Sequence, residues 1–557
     1  MSALFPTGRV TSDGWVEVAN HHLRVDGERA TSVKLGAFAA DGADIDAVEV
    51  VVDGDASLFP PIANAKCAGI TQSAQCAADQ VCMFSECRTM SGVVPPIPAD
   101  RDQVADYLQS RLTLLFGPFR ERTFDLPNAL VAIQQMKSAQ DPWNYWNAFT
   151  LAVRKLRDGH TTTSNIADFN LRGRVPINVC FIEGDGDLSQ AAAPKDPSYL
   201  DVLVSHTGSE YTLGLKPGDR LVKVDGQHPI AWARNLVQVQ WSLPPISNPR
   251  TFGELAAVLS RLIGRYAAEI EVIHCDSAQG TCGAPQTISI TDIPFLPPDA
   301  PSGAPTCDNR PLRHLANSPA DHGNNAPDGV YSGIVVESND TEKIFGLEWE
   351  SLYTTTGNDG VGAGLKKAVS TWKTQGANGI ILDHRTGTGG TIEAPKILWN
   401  YSVVRHPNDY YQDRQRAEDE QPSLEEGKAV FDLAKSKNQI NYAGTPTPST
   451  VPVALLLTVD VSASDWLPLG MKGTPHIKLF APFETNGAFS TRYSFGYWLG
   501  VNYVIATGDT FLPDGYTMNG TGVSPDVVVL PKQSDLMVGK DTVYEAALAW
   551  IRSEVAP

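Results

Sequence analysis

The feature that most constrains this chain is the alternation of apolar strands with helices over residues 329–557. Each predicted strand is short and apolar, and a segment with apolar residues at helical spacing follows it. This order is typical of an α/β domain in which helices cover a central sheet. The predicted strands span 329–337, 379–383 and 452–459, and the helices span 361–375, 391–399 and 465–472.

Composition and periodicity divide the remaining residues into four regions. Prolines at 95–98 separate a β-rich appended region from a helical segment, whose third helix is predicted at 142–156. A strand-rich region with one amphipathic helix at 251–266 follows. The predicted boundaries are 1–98 for the appended region, 101–165 for the helical segment, 172–294 for the strand-rich region, 295–328 for a linker and 329–557 for the α/β domain.

Charge and hydropathy exclude several classes of function. The 557 residues carry a formal net charge of -19, so binding to nucleic acid through bulk electrostatics is not expected. No stretch approaches the roughly 20 apolar residues of a membrane span. The most apolar run, 451–458, has the length of a buried strand. The oligomeric state is left open.

The cysteines predict disulfides and an exported protein. A zinc site is the alternative, but the closest cluster lacks the two close pairs of a zinc ribbon and contains no histidine. Disulfides favour a secreted or periplasmic location, although no signal peptide is visible at the N-terminus of this sequence. The clustered cysteines are Cys67, Cys76, Cys82 and Cys87, and the others are Cys180, Cys275, Cys282 and Cys307.

Ser462 is the first candidate catalytic residue. It lies where a buried strand ends and a helix begins, in the run Val459-Asp-Val-Ser-Ala-Ser-Asp465. Backbone amides at a helix N-terminus can stabilise an oxyanion, and a sharp turn exposes the serine hydroxyl. The alternative is a helix cap, because serine is a preferred N-cap residue.

Two further motifs indicate catalysis only if they lie near such a serine. The run 379–390 leads from an apolar strand into a turn with three glycines, which let a backbone approach a substrate closely. It lacks the ending of a phosphate-binding loop. His160 follows a helix stop at Gly159, and a lone histidine is more often structural unless it serves as the base for a distant serine.

Residues 213–226 predict a small β-module. Leu213, Gly214 and Leu215 open a run in which a tight turn, a strand and a second turn succeed one another. Such a module can bind an extended peptide by strand addition. An ordinary pair of β-turns is the alternative.

Taken in order, these motifs resemble the tail-specific (C-terminal-processing) serine protease superfamily. The resemblance covers about 101–557 and implies a ClpP/crotonase-like α/β catalytic domain with a PDZ-like module at 172–294. Protein or peptide substrates, and no cofactor or metal, are implied with it. The motifs are Asp158-Gly-His-Thr161, Gly214-Leu-Lys-Pro-Gly-Asp219, Asp383-His-Arg385 with Gly389-Gly390, Ser462-Ala-Ser-Asp465 and Gly522-Val-Ser-Pro-Asp526.

The resemblance also implies catalytic roles. One branch of the superfamily uses a lysine after the serine, and no lysine occurs between Leu479 and Pro531. The chain is more similar to the histidine-using branch, which includes the tricorn core and the chlamydial protease-like factor. That similarity implies Ser462 as nucleophile and His160 as general base. Backbone N–H groups of Ala463 and of Gly389 or Gly390 would form the oxyanion hole.

The third catalytic member departs from the pattern, because Asn519 stands where the branch has a glutamate. Three outcomes stay open. Asn519 orients a neutral His160, another acid among Asp509, Asp514 and Glu484 takes the role, or the site is weakened. A weakened site would make the chain a peptide-binding scaffold, and the same Ser–His chemistry would also serve an esterase or amidase.

Overall fold

The computed structural model describes most of the chain beyond residue 95. The described ranges, which have short gaps, are 96–117, 125–164, 177–239, 253–290, 330–403, 448–489 and 493–555, together with residue 77 and the short strands outside these ranges that are given below. Most of the predicted appended region 1–98 and the whole predicted linker 295–328 lie outside the described residues.

The predicted helical segment contains three helices, α1 (Arg101–Leu115), α2 (Asp125–Ser138) and α3 (Pro142–Arg154). α3 begins where its sequence predicts, because Asp141 accepts a hydrogen bond from the Asn144 N–H (2.9 Å) and proline occupies the first helical position. The three helices bury their apolar faces in one core with the strand-rich region. That packing fixes the C-terminal end of α3, from which the chain runs to His160.

The strand-rich region is a five-stranded antiparallel sheet with two helices, α4 (Pro229–Val239) and α5 (Gly253–Tyr266). The prediction of one helix is wrong. α4 precedes the one helix that the sequence predicts, and it is stabilised by burial of Ile230, Trp232 and Ala233. The strands, in spatial order, are Gln286–Ser289, Glu269–Ile273, Arg220–Val224, Asp201–Thr207 and Val179–Gly184.

The α/β domain contains the predicted central sheet. Its strands are parallel except at one edge, and the inner strands are buried on both faces, which explains their continuous apolar runs. The helices are α6 (Gly360–Gln375), α7 (Glu393–Ser402), α8 (Ala463–Met471) and α10 (Thr542–Val555). The strands, in spatial order, are Val330–Ser338, Glu342–Trp349, Gly379–Asp383, Val453–Leu456, Ile477–Ala481 and Val527–Val528.

A small sheet joins the helical segment to the α/β domain. Strand Thr162–Ser164 pairs with Val501–Ala506, which pairs in turn with Tyr493–Trp498. Just after α1, the Gly117 N–H donates to the Ala506 carbonyl (2.9 Å). These contacts bring residues near 160 to the α/β domain.

Residues 531–537, which include the short helix α9 (Gln533–Met537), hold the five-stranded module against the α/β domain. The Asp185 N–H donates to the Pro531 carbonyl (2.8 Å), and the Gln533 N–H donates to the Asp185 carbonyl (2.9 Å). The buried Gln533 side chain also donates to the Gly218 carbonyl (2.8 Å). The module is therefore tied to the chain immediately before α10.

The remaining strands are short. They are Ser2–Ala3, Arg9–Val10, Val16–Glu17, Ser32–Lys34, Val48–Val51, Gln80–Met83, Glu86–Thr89, Cys275–Asp276, Thr281–Cys282, Tyr410–Gln415, Ser423–Glu425, Lys428–Val430, Asn438–Asn441 and Gly508–Phe511.

The cysteines that the structure describes are oxidised. Cys275 and Cys282 form a disulfide, Cys87 and Cys180 are disulfide-bonded, and no free cysteine occurs among the described residues. The same residues contain no cluster of side chains that would hold a metal ion. None of the described helices is both long enough and apolar enough to span a membrane.

Candidate active site

Ser462 occupies a strained turn between a central strand and a helix. It is the N-cap residue of α8, and its backbone has φ 62° and ψ −126°, a region that residues other than glycine rarely adopt. The turn is closed by the Thr458 N–H, which donates to the Asp460 carboxylate (3.0 Å). Such strain is characteristic of functional turns and of serine nucleophiles between a strand and a helix.

His160 and Ser462, the predicted base and nucleophile, lie in contact. The His160 Nε2 lies 2.8 Å from the Ser462 Oγ, although 302 residues separate them in the chain. This distance is that of a hydrogen bond, and it suits transfer of the hydroxyl proton to a neutral imidazole.

The loop after α3 holds His160 in place. The buried Asp158 carboxylate accepts the His160 N–H (2.9 Å) and the Thr161 hydroxyl (3.1 Å). The Thr161 Oγ in turn accepts the Ala506 N–H (3.0 Å) from the small sheet. Asp158 and Thr161 stand in the sequence motif, but their tethering role depends on a strand more than 300 residues away and has no local signal.

Electrostatics keep the imidazole available as a base. Burial lowers the pKa of His160 below its ordinary value, because charging the ring would cost solvation, and the nearby Asp158 charge partly opposes this. A lowered pKa leaves the ring neutral at pH 7, which is the form that accepts a proton.

Gly389 lies directly against the serine. Its φ is +88°, and a Cβ added to it would lie 2.8 Å from the Ser462 Cβ and 3.3 Å from its Oγ, so only glycine fits. The Gly389 N–H donates to the Ser464 Oγ (3.0 Å). Of the two predicted glycine donors for an oxyanion, Gly389 therefore has its N–H engaged within the protein. Gly390 follows with φ 144°.

The amide of Ala463 begins α8 beside the serine. The next two amides are used inside the turn, since the Ser464 N–H donates to the Val461 carbonyl (3.1 Å) and the Asp465 N–H donates to the Ser462 carbonyl (3.0 Å). The part of the chain that the structure describes supplies no acceptor for the Ala463 N–H. This group is suited to binding an anionic oxygen at the serine.

Asp465, in the first turn of α8, holds a neighbouring loop. Its buried carboxylate accepts the N–H groups of Gly487 (3.0 Å) and Ala488 (2.9 Å). Burial raises its pKa to about 7, although these hydrogen bonds and one from Thr485 oppose the rise. Asp465 thus fixes residues 485–488 behind the serine, a role that the sequence motif does not reveal.

Asn519, the predicted third member, contacts the residue that follows the loop held by Asp465. It is buried, and its Oδ1 accepts the Phe489 N–H (2.8 Å). Its role toward His160 stays a prediction. Among the alternative acids, Glu484 is partly buried, whereas Asp514 and the side chain of Asp509 lie outside the described part of the chain.

Asp383 and Arg385 of the glycine-turn motif form a buried ionic cluster. Arg385 donates to Asp383 (Nη2–Oδ2, 2.7 Å) and also contacts Asp541 (2.7 Å), which caps α10 through the Tyr544 N–H (3.1 Å). Burial lowers the pKa of Arg385, but the two carboxylates outweigh it and hold that pKa above its ordinary value. The cluster fixes the end of strand Gly379–Asp383 to α10.

Leu213, Gly214 and Leu215 form a turn between two strands of the five-stranded module. Leu213 and Gly214 both have positive φ (57° and 76°), and the buried Leu215 donates its N–H to the Thr212 carbonyl (3.0 Å). The structure thus confirms a tight turn here. Peptide binding by these residues stays a prediction.

The chain is similar to known proteins in part of its sequence and in its fold. Residues 352–529 match the model of peptidase family S41. The structure of mature CPAF complexed with lactacystin is similar over 82% of this chain and 98% of that chain, with 13% sequence identity and a TM-score of 0.54. The structure of mature CPAF is similar over 82% and 96%, with 13% identity and a TM-score of 0.52. No curated protein matches the chain in sequence.

The fold and these matches define a serine-type peptidase. Residues 352–529 carry a peptidase family S41 domain, and this domain and the shared fold support the predicted resemblance to the tail-specific protease superfamily. The predicted α/β catalytic domain is confirmed.

Proposed function

We propose that the chain hydrolyses peptide bonds through an acyl-enzyme formed on Ser462, with His160 as general base. The observation that carries this proposal is the 2.8 Å contact between the His160 Nε2 and the Ser462 Oγ. His160 takes the hydroxyl proton as the oxygen attacks the carbonyl carbon, and then returns a proton to the leaving amine. A water molecule, deprotonated by the same imidazole, releases the acyl group.

The oxyanion would be bound by the N–H groups of Ala463 and Gly390. Ala463 begins α8, where the free amides and the helix dipole favour negative charge. Gly389 contributes by its lack of a side chain, since its own N–H donates to Ser464.

Asp158 takes the acidic role in this proposal. Its charge acts on His160 and favours the imidazolium that forms during attack, and its carboxylate also fixes the His160 backbone. The Asn519 amide carries no charge and cannot offset that imidazolium in the same way. Asn519 instead accepts a hydrogen bond from Phe489, the residue that follows the loop held by Asp465.

The five-stranded module would bind the substrate chain as a PDZ-like domain. Strand Val179–Gly184 is at an edge of its sheet, so its backbone groups can pair with an added strand. The turn at Leu213–Leu215 lies in the same module. The disulfides favour a secreted or periplasmic location for this activity, because such bonds persist in oxidising compartments.

Labelling with a fluorophosphonate probe tests the catalytic proposal. Wild type is expected to be labelled, and Ser462→Ala and His160→Ala are each expected to lose the label. Ser402→Ala is the matched control, because Ser402 is a buried serine of α7 whose hydroxyl donates to the Leu398 carbonyl of its own helix (2.9 Å). An unlabelled wild type, or labelling that persists in Ser462→Ala, would overturn the proposal.

Substrate assays separate a peptidase from an esterase. Wild type is expected to cleave unfolded casein and to lose this cleavage in Ser462→Ala. Turnover confined to small esters, with casein left intact, would show that the Ser–His pair serves a different acyl transfer.

A further inference from the structure

A buried histidine that the proposed mechanism does not use lies behind the glycine turn. His384 follows strand Gly379–Asp383 and is fully buried, with its ring stacked on Trp349 (centroids 4.3 Å apart). Its Nδ1 lies 3.3 Å from the Trp349 carbonyl oxygen, and its Nε2 lies 2.9 Å from the Ser464 Oγ. The Asp460 carboxylate is farther from the Nε2, at 3.7 Å.

The partners of the ring assign its proton. A carbonyl oxygen can only accept, so the hydrogen bond to Trp349 places the proton on Nδ1. The Nε2 of a neutral ring is then an acceptor, and the Ser464 hydroxyl donates to it. The Ser464 Oγ is left to accept the Gly389 N–H, at 3.0 Å. One directed chain of hydrogen bonds thus runs from Gly389 through Ser464 and His384 to Trp349.

This chain ties the glycine turn to the serine turn. Gly389 lies against Ser462, and a second bond joins the same two turns, from the Val461 N–H to the Gly387 carbonyl (3.0 Å). The two turns are closely packed, because a Cβ added to Gly387 would lie 2.6 Å from the Ser464 Cβ and 2.8 Å from the His384 Nε2. The Gly390 N–H, the proposed oxyanion donor, belongs to the next peptide, whose Gly389 carbonyl accepts the Leu352 N–H (2.8 Å). The bond to Ser464 therefore holds the peptide on one side of Gly389, and the bond from Leu352 holds the peptide on the other side.

We infer that His384 is a positioning residue for the oxyanion-binding turn, and that it acts through the Ser464 hydroxyl. The inference rests on the proposed function. An apolar side chain of similar size would still pack on Trp349, but it would leave the Ser464 hydroxyl without this acceptor. The oxyanion exists only after attack, so misplacement of its donor lowers kcat and leaves KM nearly unchanged.

The test compares His384→Leu, His384→Gln, Ser464→Ala and the double variant His384→Leu/Ser464→Ala, using steady-state kinetics on a peptide substrate. Removing an oxyanion donor outright costs about 10²–10³-fold in kcat. Misplacing it through His384→Leu or Ser464→Ala is expected to cost about 10–100-fold in kcat, below that limit, with KM nearly constant. Glutamine places an amide oxygen near the Nε2 position, so His384→Gln is expected to retain most of the activity.

The double variant is expected to be no worse than the poorer single variant, because both changes break one chain of hydrogen bonds. Ser402→Ala is again the control and is expected to match wild type. A filler role for His384 predicts the opposite ranking, with leucine at least as active as glutamine. That ranking, or losses that multiply in the double variant, would overturn the inference.

Two further results distinguish a misfolded variant, a wrong inference and a wrong proposed function. Ser464→Ala removes a single oxygen, so it remains decisive if His384→Leu does not fold, as judged by circular dichroism; unchanged kcat in folded Ser464→Ala would overturn the inference. An inactive wild type would overturn the proposed function instead.

Discussion

The serine and the histidine of the site are held in different ways. Ser462 lies on a strained turn that follows a central strand of a mainly parallel sheet, and it is packed against Gly389 and fixed by neighbours within its own domain. His160 stands outside that sheet, on a loop after α3. It is held by Asp158 and by the bond from the Ala506 N–H to Thr161.

The difference shows two ways of fixing a reactive group. The serine side depends on the buried contacts of the α/β core, where shifting one atom requires others to move. The histidine side depends on a few hydrogen bonds and on the pairing of Thr162–Ser164 with Val501–Ala506. Substitutions in the contacts that hold Ser462 should therefore reduce the free energy of unfolding or lower kcat/KM strongly. Substitutions in the hydrogen bonds that hold the His160 loop should change kcat/KM and its pH dependence by smaller amounts.

The largest effect is expected from Arg385→Leu, at the base of the serine side. This change leaves the Asp383 and Asp541 carboxylates buried without their cation, and breaking a buried ion pair costs about 3–5 kcal/mol. Urea unfolding measures the loss. Arg552→Leu is the control, because its pair with Glu342 is on the surface and such pairs contribute about 0–1 kcal/mol. Equal losses in the two variants would mean that the buried cluster does not anchor the domain.

Gly389→Ala is expected to come next. The added Cβ meets the Ser462 Cβ at 2.8 Å and the Val461 carbonyl oxygen at 3.0 Å, so the serine must move. A misplacement of about 1 Å at a reacting group costs about 100-fold in kcat/KM.

Gly473→Ala is its matched control. Gly473 also has positive φ (+82°) and follows α8, but a Cβ there meets nothing within 4 Å. The control should lose some stability from the strained backbone while keeping its kcat. If both variants lose activity equally, the effect comes from backbone strain rather than from contact with the serine.

The smallest effect is expected from Asp158→Asn, on the histidine side. In wild type, kcat/KM falls as the pH drops through the lowered pKa of His160, because the protonated ring cannot act as a base. Asp158 raises that pKa, so its loss should move this acid limb to lower pH. The plateau should fall by no more than about tenfold, or about 1.4 kcal/mol.

Thr161→Val separates charge from position in this pH profile. Valine removes the hydroxyl that accepts the Ala506 N–H and donates to Asp158, but it keeps the Asp158 charge, so the plateau should fall while the acid limb stays in place. An acid limb that is unmoved in Asp158→Asn, or moved to higher pH, would contradict the electrostatic role of Asp158.

The sequence predicts the main elements of the α/β domain but misses one helix of the five-stranded module. Alternating apolar runs and helical periodicity predict the α/β domain, because strands buried on both faces must be apolar throughout. The same signals miss α4, a short helix that is stabilised by burial of Trp232 and its neighbours against the rest of the module. They also place the start of α8 at 465, whereas it begins at Ala463, directly after Ser462.

The site divides in the same way. The sequence by itself determined the residue types of the reaction, since Ser462, His160 and the glycines stand in motifs whose local chemistry can be recognised in order. Only the tertiary structure decided their partners: His160 with Ser462, Ser464 with Gly389 and His384, and Asn519 with Phe489. The physical reason is that a motif records local backbone geometry, whereas a hydrogen bond between residues 80 or 302 positions apart exists only once the strands that carry them are packed.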